Sequence, residues 1–393
     1  MSTIEQTLRL QFKQALGSVQ HLDYTDVNAP SAHHRLAAHA RAQIWHILSG
    51  RLQELGSARQ VAEQIRLARQ AREALKVRLQ IRGLTENVRE ALGEYMACLE
   101  AWAAGAALAD FHHAWLAEDV KALDLATLLQ DDEVGCQTGA YREPGGGLIL
   151  WHTEEDGEKT PGERFDQLRL CSFRASNGRT ATGFIYPDLL PGPSFAWQGG
   201  DYAQAIDSLH VRFANAEQAI LPNCLAWLSL YLGAQGSPAA LAKQLGPFRG
   251  GYSLSTASKI NGQMNVEKVE YANDALHVSH LENSPGCHLF QTNIIRDLNL
   301  PIGAEERTSP ESRAWNEKRL ARTRRFLQVI RRAPEPLPLI LRMLRSRLGN
   351  DSAYANHDVK GYLVCRMTAG DTRIWVGSGP PMPGDELFSV INA

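Results

Sequence analysis

The chain lacks the features that would tie it to a membrane, an oxidising compartment or a polyanion. No apolar run approaches the roughly 18 residues of a membrane span. The longest candidate, Ala219 to Ala234, is interrupted by Pro222 and Asn223. The stretch MSTIEQTLRLQFKQ is polar and amphipathic, without the apolar core and small-residue cleavage site of a secretory signal. Six cysteines, Cys98, Cys136, Cys171, Cys224, Cys287 and Cys365, are scattered without a CxxC pair. They are too sparse for a disulfide scaffold and have no zinc spacing. Lys and Arg total 41 against 43 Asp and Glu, a net charge of −2. That excludes a whole-chain electrostatic grip on nucleic acid or an anionic membrane. A cytoplasmic protein with reduced thiols and no nucleic-acid or membrane partner is expected.

What is present is globular. Apolar residues make up 44% of the 393 and charged residues 21%. A chain of this size and composition buries a large core, as two or three domains or one large one. Its character changes near residue 135. Before it, helical periods dominate. Ala37 to Leu55 is Ala/Leu-rich, and Val61, Ile65, Ala68, Ala71 and Leu75 recur near the helical spacing within Ala58 to Ile81. Thr85, with Glu86 behind it, is placed to cap a third helix, and Ala101 to Leu116 continues the pattern. After Gly135 strands are expected at Leu148 to His152, Gln167 to Arg174, Thr180 to Tyr186, Tyr252 to Ala257, Val266 to Tyr271, Ala275 to Leu281 and His288 to Thr292. Helices are expected at Ala216 to Gly233, Pro238 to Leu245, Pro310 to Arg331 and Leu339 to Leu348, with a break at Pro334 to Pro338. Gly361 to Thr368 and Thr372 to Gly377 read as a closing hairpin. Strands interleaved with helices in this way predict an α+β sheet core.

Three segments could carry chemistry. Gly135-Cys136-Gln137-Thr138 sits where the helical part ends and the strand-rich part begins. Cutting the Gly135–Cys136 bond would make Cys136 an N-terminal nucleophile. Its α-amino group, with an ordinary pKa of roughly 7.7–8.0, could then act as the thiol's base. The bland alternative is a buried core cysteine. His152-Thr153-Glu154-Glu155-Asp156 follows a strand, and its carboxylates could orient an amine or a substrate; a solvated turn would look the same. Gln291-Thr292-Asn293 is a polar strand end, and an Asn amide there can donate to a developing oxyanion or merely serve a turn.

Other motifs carry less. Gly145 to Gly147 precedes a strand and lacks the P-loop lysine, so a hairpin turn is expected. His277 and His280 fall on opposite faces of a strand-like segment and cannot share a metal. His33-His34 and His112-His113 are adjacent pairs that do not face one ligand. The basic stretches Arg59 to Arg82 and Arg313 to Arg332 are interrupted by Glu63, Glu73 and Glu317 and read as solvated helix faces. No metal or cofactor is implied.

Taken in order, the segments resemble the acyl-coenzyme A:6-aminopenicillanic acid acyltransferase family of N-terminal-nucleophile (Ntn) hydrolases. The resemblance covers the C-terminal two-thirds. Gly135-Cys136 matches the family's self-cleaving Gly-Cys step, and His152-Thr153-Glu154-Glu155 its His-Asn-Glu-Asp type motif. Leu190-Pro191-Gly192 matches a Leu-Pro-Gly segment, Asp207-Ser208-Leu209 an Asn-Ser-Leu type strand, and Gln291-Thr292-Asn293-Ile294 a His-Thr-Asn-His motif. Ser309-Pro310-Glu311-Ser312-Arg313 matches a Ser-x-x-Arg type helix start, and Thr372 to Gly377 with Asp385 to Val390 resemble the last strands.

The resemblance implies a four-layer αββα Ntn-hydrolase-like core behind a helical N-terminal region. Residues 1–135 would form a helical α subunit that stays bound, and 136–393 the catalytic β subunit of an α/β heterodimer. Cys136 would be the nucleophile, Glu155 would hold its new α-amino group, and Asn293 would stabilise the oxyanion. Thr153, Asp207, Ser255 and Arg313 are the candidate substrate contacts. The implied activity is an amidohydrolase or acyltransferase acting on a small N-acyl substrate, amide or thioester. The alternative is a diverged non-catalytic or uncleaved member that binds a ligand or partner. It is motivated by the changed residues after Cys136, at Thr153 and beside Asn293.

Overall fold

The computed structural model describes residues 21–45, 66, 70, 73–107, 136–155, 169–186, 190–192, 194–209, 211–213, 219–220, 222–300, 304–306, 308–344, 359–378 and 389–391. In chain order the elements are β1 (His21–Asn28), α1 (Ala29–His39), α2 (Glu86–Gly105), β2 (Gln137–Arg142), β3 (Leu148–Glu155), β4 (Arg169–Arg174), β5 (Thr180–Ile185), β6 (Phe195–Gln198), β7 (Tyr202–Leu209) and β8 (Val211–Phe213). They continue with α3 (Pro222–Leu232), α4 (Pro238–Leu245), β9 (Phe248–Ile260), β10 (Gln263–Asn273), β11 (Ala275–His280), β12 (His288–Gln291) and β13 (Ala304–Glu306). The last are α5 (Pro310–Ile330), α6 (Pro336–Leu344), β14 (Val359–Met367), β15 (Thr372–Ser378) and β16 (Ser389–Ile391).

The mixed α+β architecture expected from the sequence is present. One sheet has eight strands in the order β1-β4-β5-β6-β7-β9-β10-β11, the other six in the order β12-β2-β3-β14-β15-β16, and β13-β8 form a small ribbon. Strand alternation sends successive side chains to opposite faces, and three buried clusters follow from it. Phe173, Ala196, Ile206, Leu254 and Val269 on one face of the larger sheet pack with residues of α1, α2, α3 and α4. Leu170, Phe184, Phe195, Ala205 and Ala257 on its other face meet Ala140, Leu148, Leu150, Leu363 and Ile374 of the six-stranded sheet. The far face of that second sheet, with Tyr141, Ile149, Trp151 and Val364, packs on Leu320, Leu327, Ile340 and Met343 of α5 and α6.

Local chemistry explains the element ends. Asn28 caps α1 by accepting from the Ser31 amide at 3.0 Å, and Ser309 caps α5 by accepting from the Ser312 amide at 3.1 Å. Thr85 occupies the cap position of α2, but its side chain makes no capping bond. The turn between β2 and β3 is closed by Gly146 N–H donating to Glu143 O at 3.0 Å. Gly146 has φ of 81° there, a conformation that glycine adopts without strain.

Several elements depart from the sequence expectation. β1 lies in the stretch read as mainly helical and adds itself parallel to β4, pairing His21 with Leu170. β9 and β10 are longer than expected and form one antiparallel pair from Gln263↔Ile260 to Asn273↔Phe248. The expected break at Pro334 to Pro338 is shorter, because α6 begins at Pro336 and holds Pro338 in its first turn, where a proline's missing N–H costs no helical bond. The expected helical residues 46–55, 58–65, 67–69, 71–72, 108–116, 216–218, 221 and 345–348 and the expected strand residues 167–168 and 385–388 lie outside the described residues. Among the described residues, no helix is long and apolar enough to cross a membrane.

Candidate functional site

The apolar filling between the two sheets gives way to polar side chains at one end. On β3, Leu148 and Leu150 face the space between the sheets. Two and four residues beyond Leu150 on the same face come His152 and Glu154, both buried. On β2, Ala140 faces the same way, so Thr138 and Cys136 do too. The β2–β3 register pairs Thr138 with His152 and Gln137 with Thr153. The larger sheet contributes Asp207, in line with Ala203 and Ala205 of β7, and Ser253 and Ser255, in line with Ala257 of β9.

These side chains are joined. The Cys136 thiol lies 3.5 Å from Glu154 Oε1. The hydroxyl of Tyr186 donates to the same oxygen, and that of Ser194 donates to Oε2. His152 Nε2 is 3.0 Å from Glu154 Oε2, and its Nδ1 is 2.8 Å from Thr138 Oγ1. Glu154 is thus held on both oxygens, with the thiol at one and the imidazole at the other. Asp207 is fully buried, and burial pushes its carboxyl up to about 6. His152, the Thr138 hydroxyl and Arg319 pull it back down, while Glu154 pushes it further up.

Asn293 follows β12, whose last pair is Gln291 with Thr138. The antiparallel register therefore brings residues 292 and 293 out alongside Gln137 and Cys136. The Asn293 side-chain amide donates to Ser208 O at 2.9 Å and to Ser208 Oγ at 3.2 Å. Its backbone N–H donates to Asn316 Oδ1 at 3.3 Å, and that oxygen also accepts from Arg319 Nη1 at 3.2 Å. Asn293 Oδ1, Thr292 Oγ1 and Ser253 Oγ are buried with no hydrogen-bond partner among the described residues. Buried polar groups are normally satisfied, so such a group near a nucleophile invites a polar ligand.

The loop that carries Asn293 is anchored from the larger sheet. Lys268 Nζ donates to Glu270 Oε1 at 2.7 Å, to Asp297 Oδ2 at 2.9 Å and to Gln291 Oε1 at 3.1 Å. Glu270 Oε2 accepts the backbone N–H groups of Arg296, Asp297 and Leu298. All three ammonium protons are used, which is what a buried lysine requires.

Of the residues anticipated from the sequence, Cys136 and Asp207 are brought into one cluster, with Asn293 at its margin. Ser255 shares the inter-sheet face and stands opposite Ala205 and Lys268. Thr153 has the strand parity of Ile149 and Trp151, which face α5 and α6. Glu155 pairs with Val359 at the end of β3; its side chain and Gly135 lie outside the described residues. Arg313 forms an ion pair with Glu306 at a partly exposed position. The expected opposite facing of His277 and His280 holds, since both lie on strand β11.

Sequence reasoning held His152 and Glu154 within a candidate segment without singling them out, and it missed Tyr186, Ser194 and Arg319. Period-two counting from Leu148 and Leu150 would have found the first two. For Arg319 the signal is the stripe Asn316, Arg319, Leu320, Thr323, Leu327 and Ile330, which is the buried side of α5. No protein-family model matches the chain, and no curated protein matches it significantly.

Proposed function

We propose that the chain is a cysteine amidohydrolase or acyltransferase of the Ntn type, acting on a small N-acyl substrate through Cys136. The observation that carries this reading is the Cys136 thiol at the head of β2, 3.5 Å from the buried Glu154 carboxylate. Two facing sheets with helices against both outer faces support the αββα core of this reading. The role that the resemblance gave to Glu155 passes to Glu154, the carboxylate that strand alternation brings to the thiol.

The chemistry balances without an added cofactor. In processing, the thiol adds to the Gly135 carbonyl, and an N-to-S acyl shift replaces the peptide by a thioester. Water then hydrolyses the thioester, leaving a Gly135 carboxylate and a free Cys136 α-amine. In turnover that amine takes the thiol proton, and the thiolate attacks the substrate carbonyl. Collapse expels the substrate's amine or thiol, which leaves with the proton. The acyl-enzyme passes its acyl group to water or to a second amine. Glu154 holds the α-ammonium, and Tyr186, Ser194 and His152 fix Glu154. For Asn293 to serve the oxyanion, its amide must leave Ser208 for the developing charge.

A second reading is favoured by that engaged amide: a ligand-binding protein in which Cys136 does no chemistry. Intact mass under denaturing conditions separates the two. Two fragments meeting at Gly135–Cys136, and loss of amide or thioester turnover in Cys136→Ala, are the expected results. A single uncut chain whose Cys136 labels no faster than the other thiols would overturn the enzyme reading.

A further inference from the structure

The cluster at Cys136 has a second property that the acyl chemistry does not use. Cys136, His152 and Glu154 each offer one metal-ligand atom, and the three atoms lie within 4.8 Å of one another. A thiolate, an imidazole and a carboxylate form a donor set that suits zinc better than hard oxygen-seeking cations. Bond lengths near 2.3 Å to sulfur and near 2.0–2.1 Å to nitrogen and oxygen put tetrahedral ligands about 3.3–3.6 Å apart. Sγ lies 3.5 Å from Glu154 Oε1 and His152 Nε2 lies 3.0 Å from Glu154 Oε2. The carboxylate thus presents one oxygen to each of the other two ligands, and a small turn of it, or binding through both oxygens, would bring the set to those edges.

The surroundings complete the argument. A metal-bound imidazole usually donates from its other nitrogen to an orienting group. His152 Nδ1 sits 2.8 Å from Thr138 Oγ1, so the Thr138 hydroxyl is the orienting group behind the ligand position. Tyr186 and Ser194 hold the Glu154 carboxylate from the other side. Two buried carboxylates, Glu154 and Asp207, lie within electrostatic reach of each other, and a divalent cation between the sheets would offset their repulsion.

We propose that Cys136, His152 and Glu154 form a three-ligand site for a zinc-type divalent cation, with a fourth position open to water, and that the bound ion masks the Cys136 thiol. Binding releases the thiol proton to solvent. The imidazole keeps one proton, carried at Nδ1 and donated to Thr138 Oγ1, while Nε2 turns its lone pair to the metal. No electron is transferred. The site needs neither cleavage at Gly135 nor any substrate, so it stands apart from the acyl reading.

The test is calorimetric titration of the full chain, first stripped with a chelator, with zinc chloride alone. One zinc per chain is expected. Cys136→Ser and His152→Gln should each weaken binding at least about a hundredfold, and Thr138→Val about 10–100-fold, as for loss of an orienting partner. Cobalt(II) supplies a signature that needs no variant: a thiolate charge-transfer band and the intense visible bands of a low-coordinate site. Zinc should also slow alkylation of Cys136 in the wild-type chain at least about a hundredfold, reversed by chelator. Zinc binding unchanged in a folded Cys136→Ser variant would overturn the proposal. So would cobalt spectra without the thiolate band, or no stoichiometric binding at all. Absent acyl turnover with zinc binding intact would count against the enzyme reading only.

Discussion

Glu154 Oε1 lies 3.5 Å from the Cys136 thiol, and the two side chains reach each other from adjacent strands of the smaller sheet. The contact follows from strand parity. Cys136 precedes β2 on the parity of Thr138 and Ala140, and Glu154 ends the series Leu148, Leu150, His152 on β3. Glu155, one residue on, pairs with Val359 at the end of β3. A nucleophile and a carboxylate are thus joined by counting in twos along a hairpin whose turn is Glu143 to Gly147.

The first prediction separates these two carboxylates. Glu154→Gln preserves size and removes the negative charge beside the thiol. It should lower any acyl turnover by about 10²–10⁴-fold, the range of a positioned acid–base group. Glu155→Gln should change turnover by less than about threefold. A larger loss in the second variant would return the role to Glu155.

Thiol reactivity offers a second prediction. Burial drives the thiols of Cys171 and Cys365 up to about 12 and that of Cys98 well above its ordinary value, with Glu94 adding to the rise. Burial also raises the more accessible Cys287, and Glu282 adds to it. A brief treatment with an iodoacetamide probe at neutral pH should therefore mark Cys136 first and Cys287 slowly. Cys98, Cys171 and Cys365 should react only after unfolding. Peptide mass spectrometry reads the order, and faster labelling of Cys287 than of Cys136 would contradict it.

Much of this arrangement was legible in the residues. The apolar run Leu148 to His152, the alternation through β10 and the capped span of α4 identify their elements locally. β1 was not legible. HLDYTDVN is half polar, and its partner β4 is far along the chain, so its strand state comes from a parallel pairing that no local pattern encodes. β2 is buried along its whole length, which erases the alternation that betrays a half-exposed strand. At the site, the resemblance pointed to Cys136, Asp207 and Asn293. It named Glu155, whereas the described carboxylate beside the thiol is Glu154; a motif aligned by letters carries no face. Arg319 hid among Lys318, Arg322, Arg324 and Arg325, and only its place in the apolar stripe of α5 marks it as buried.

A third prediction tests the hairpin that sets the Cys136 position. A Cβ built at Gly139 would meet Trp151 Cζ2 at 2.0 Å, and Trp151 is itself fully buried. The indole lies over Gly139, its partner in the β2–β3 pair, so a side chain there would press on the register that brings Cys136 toward Glu154. Gly139→Ala should destabilise the fold by about 1–3 kcal/mol, the usual cost of overpacking. Because any relief must come from shifting β2 against β3, it should also slow Cys136 alkylation. Urea unfolding and labelling rates check the two effects. A variant as stable and as reactive as the parent would show that the indole does not set the register.

The last prediction concerns what the buried Asp207 costs. Its carboxyl is raised from 3.8 to about 6 by burial, against the pull of His152, the Thr138 hydroxyl and Arg319. Between those two values the folded state holds a proton that the unfolded state has lost. Stability therefore falls as pH rises through that window, and the loss is complete above about 6. At roughly 1.4 kcal/mol per pH unit the full loss is about 3 kcal/mol. Asp207→Asn keeps the shape and cannot ionise. It should be more stable than the parent by up to about 3 kcal/mol at pH 7.5 and no more stable at pH 4, measured by urea unfolding at both. A stability gain equal at the two pH values would mean that packing rather than ionisation sets the cost. No gain at pH 7.5 would mean that Arg319 and Thr138 already compensate the buried charge in full.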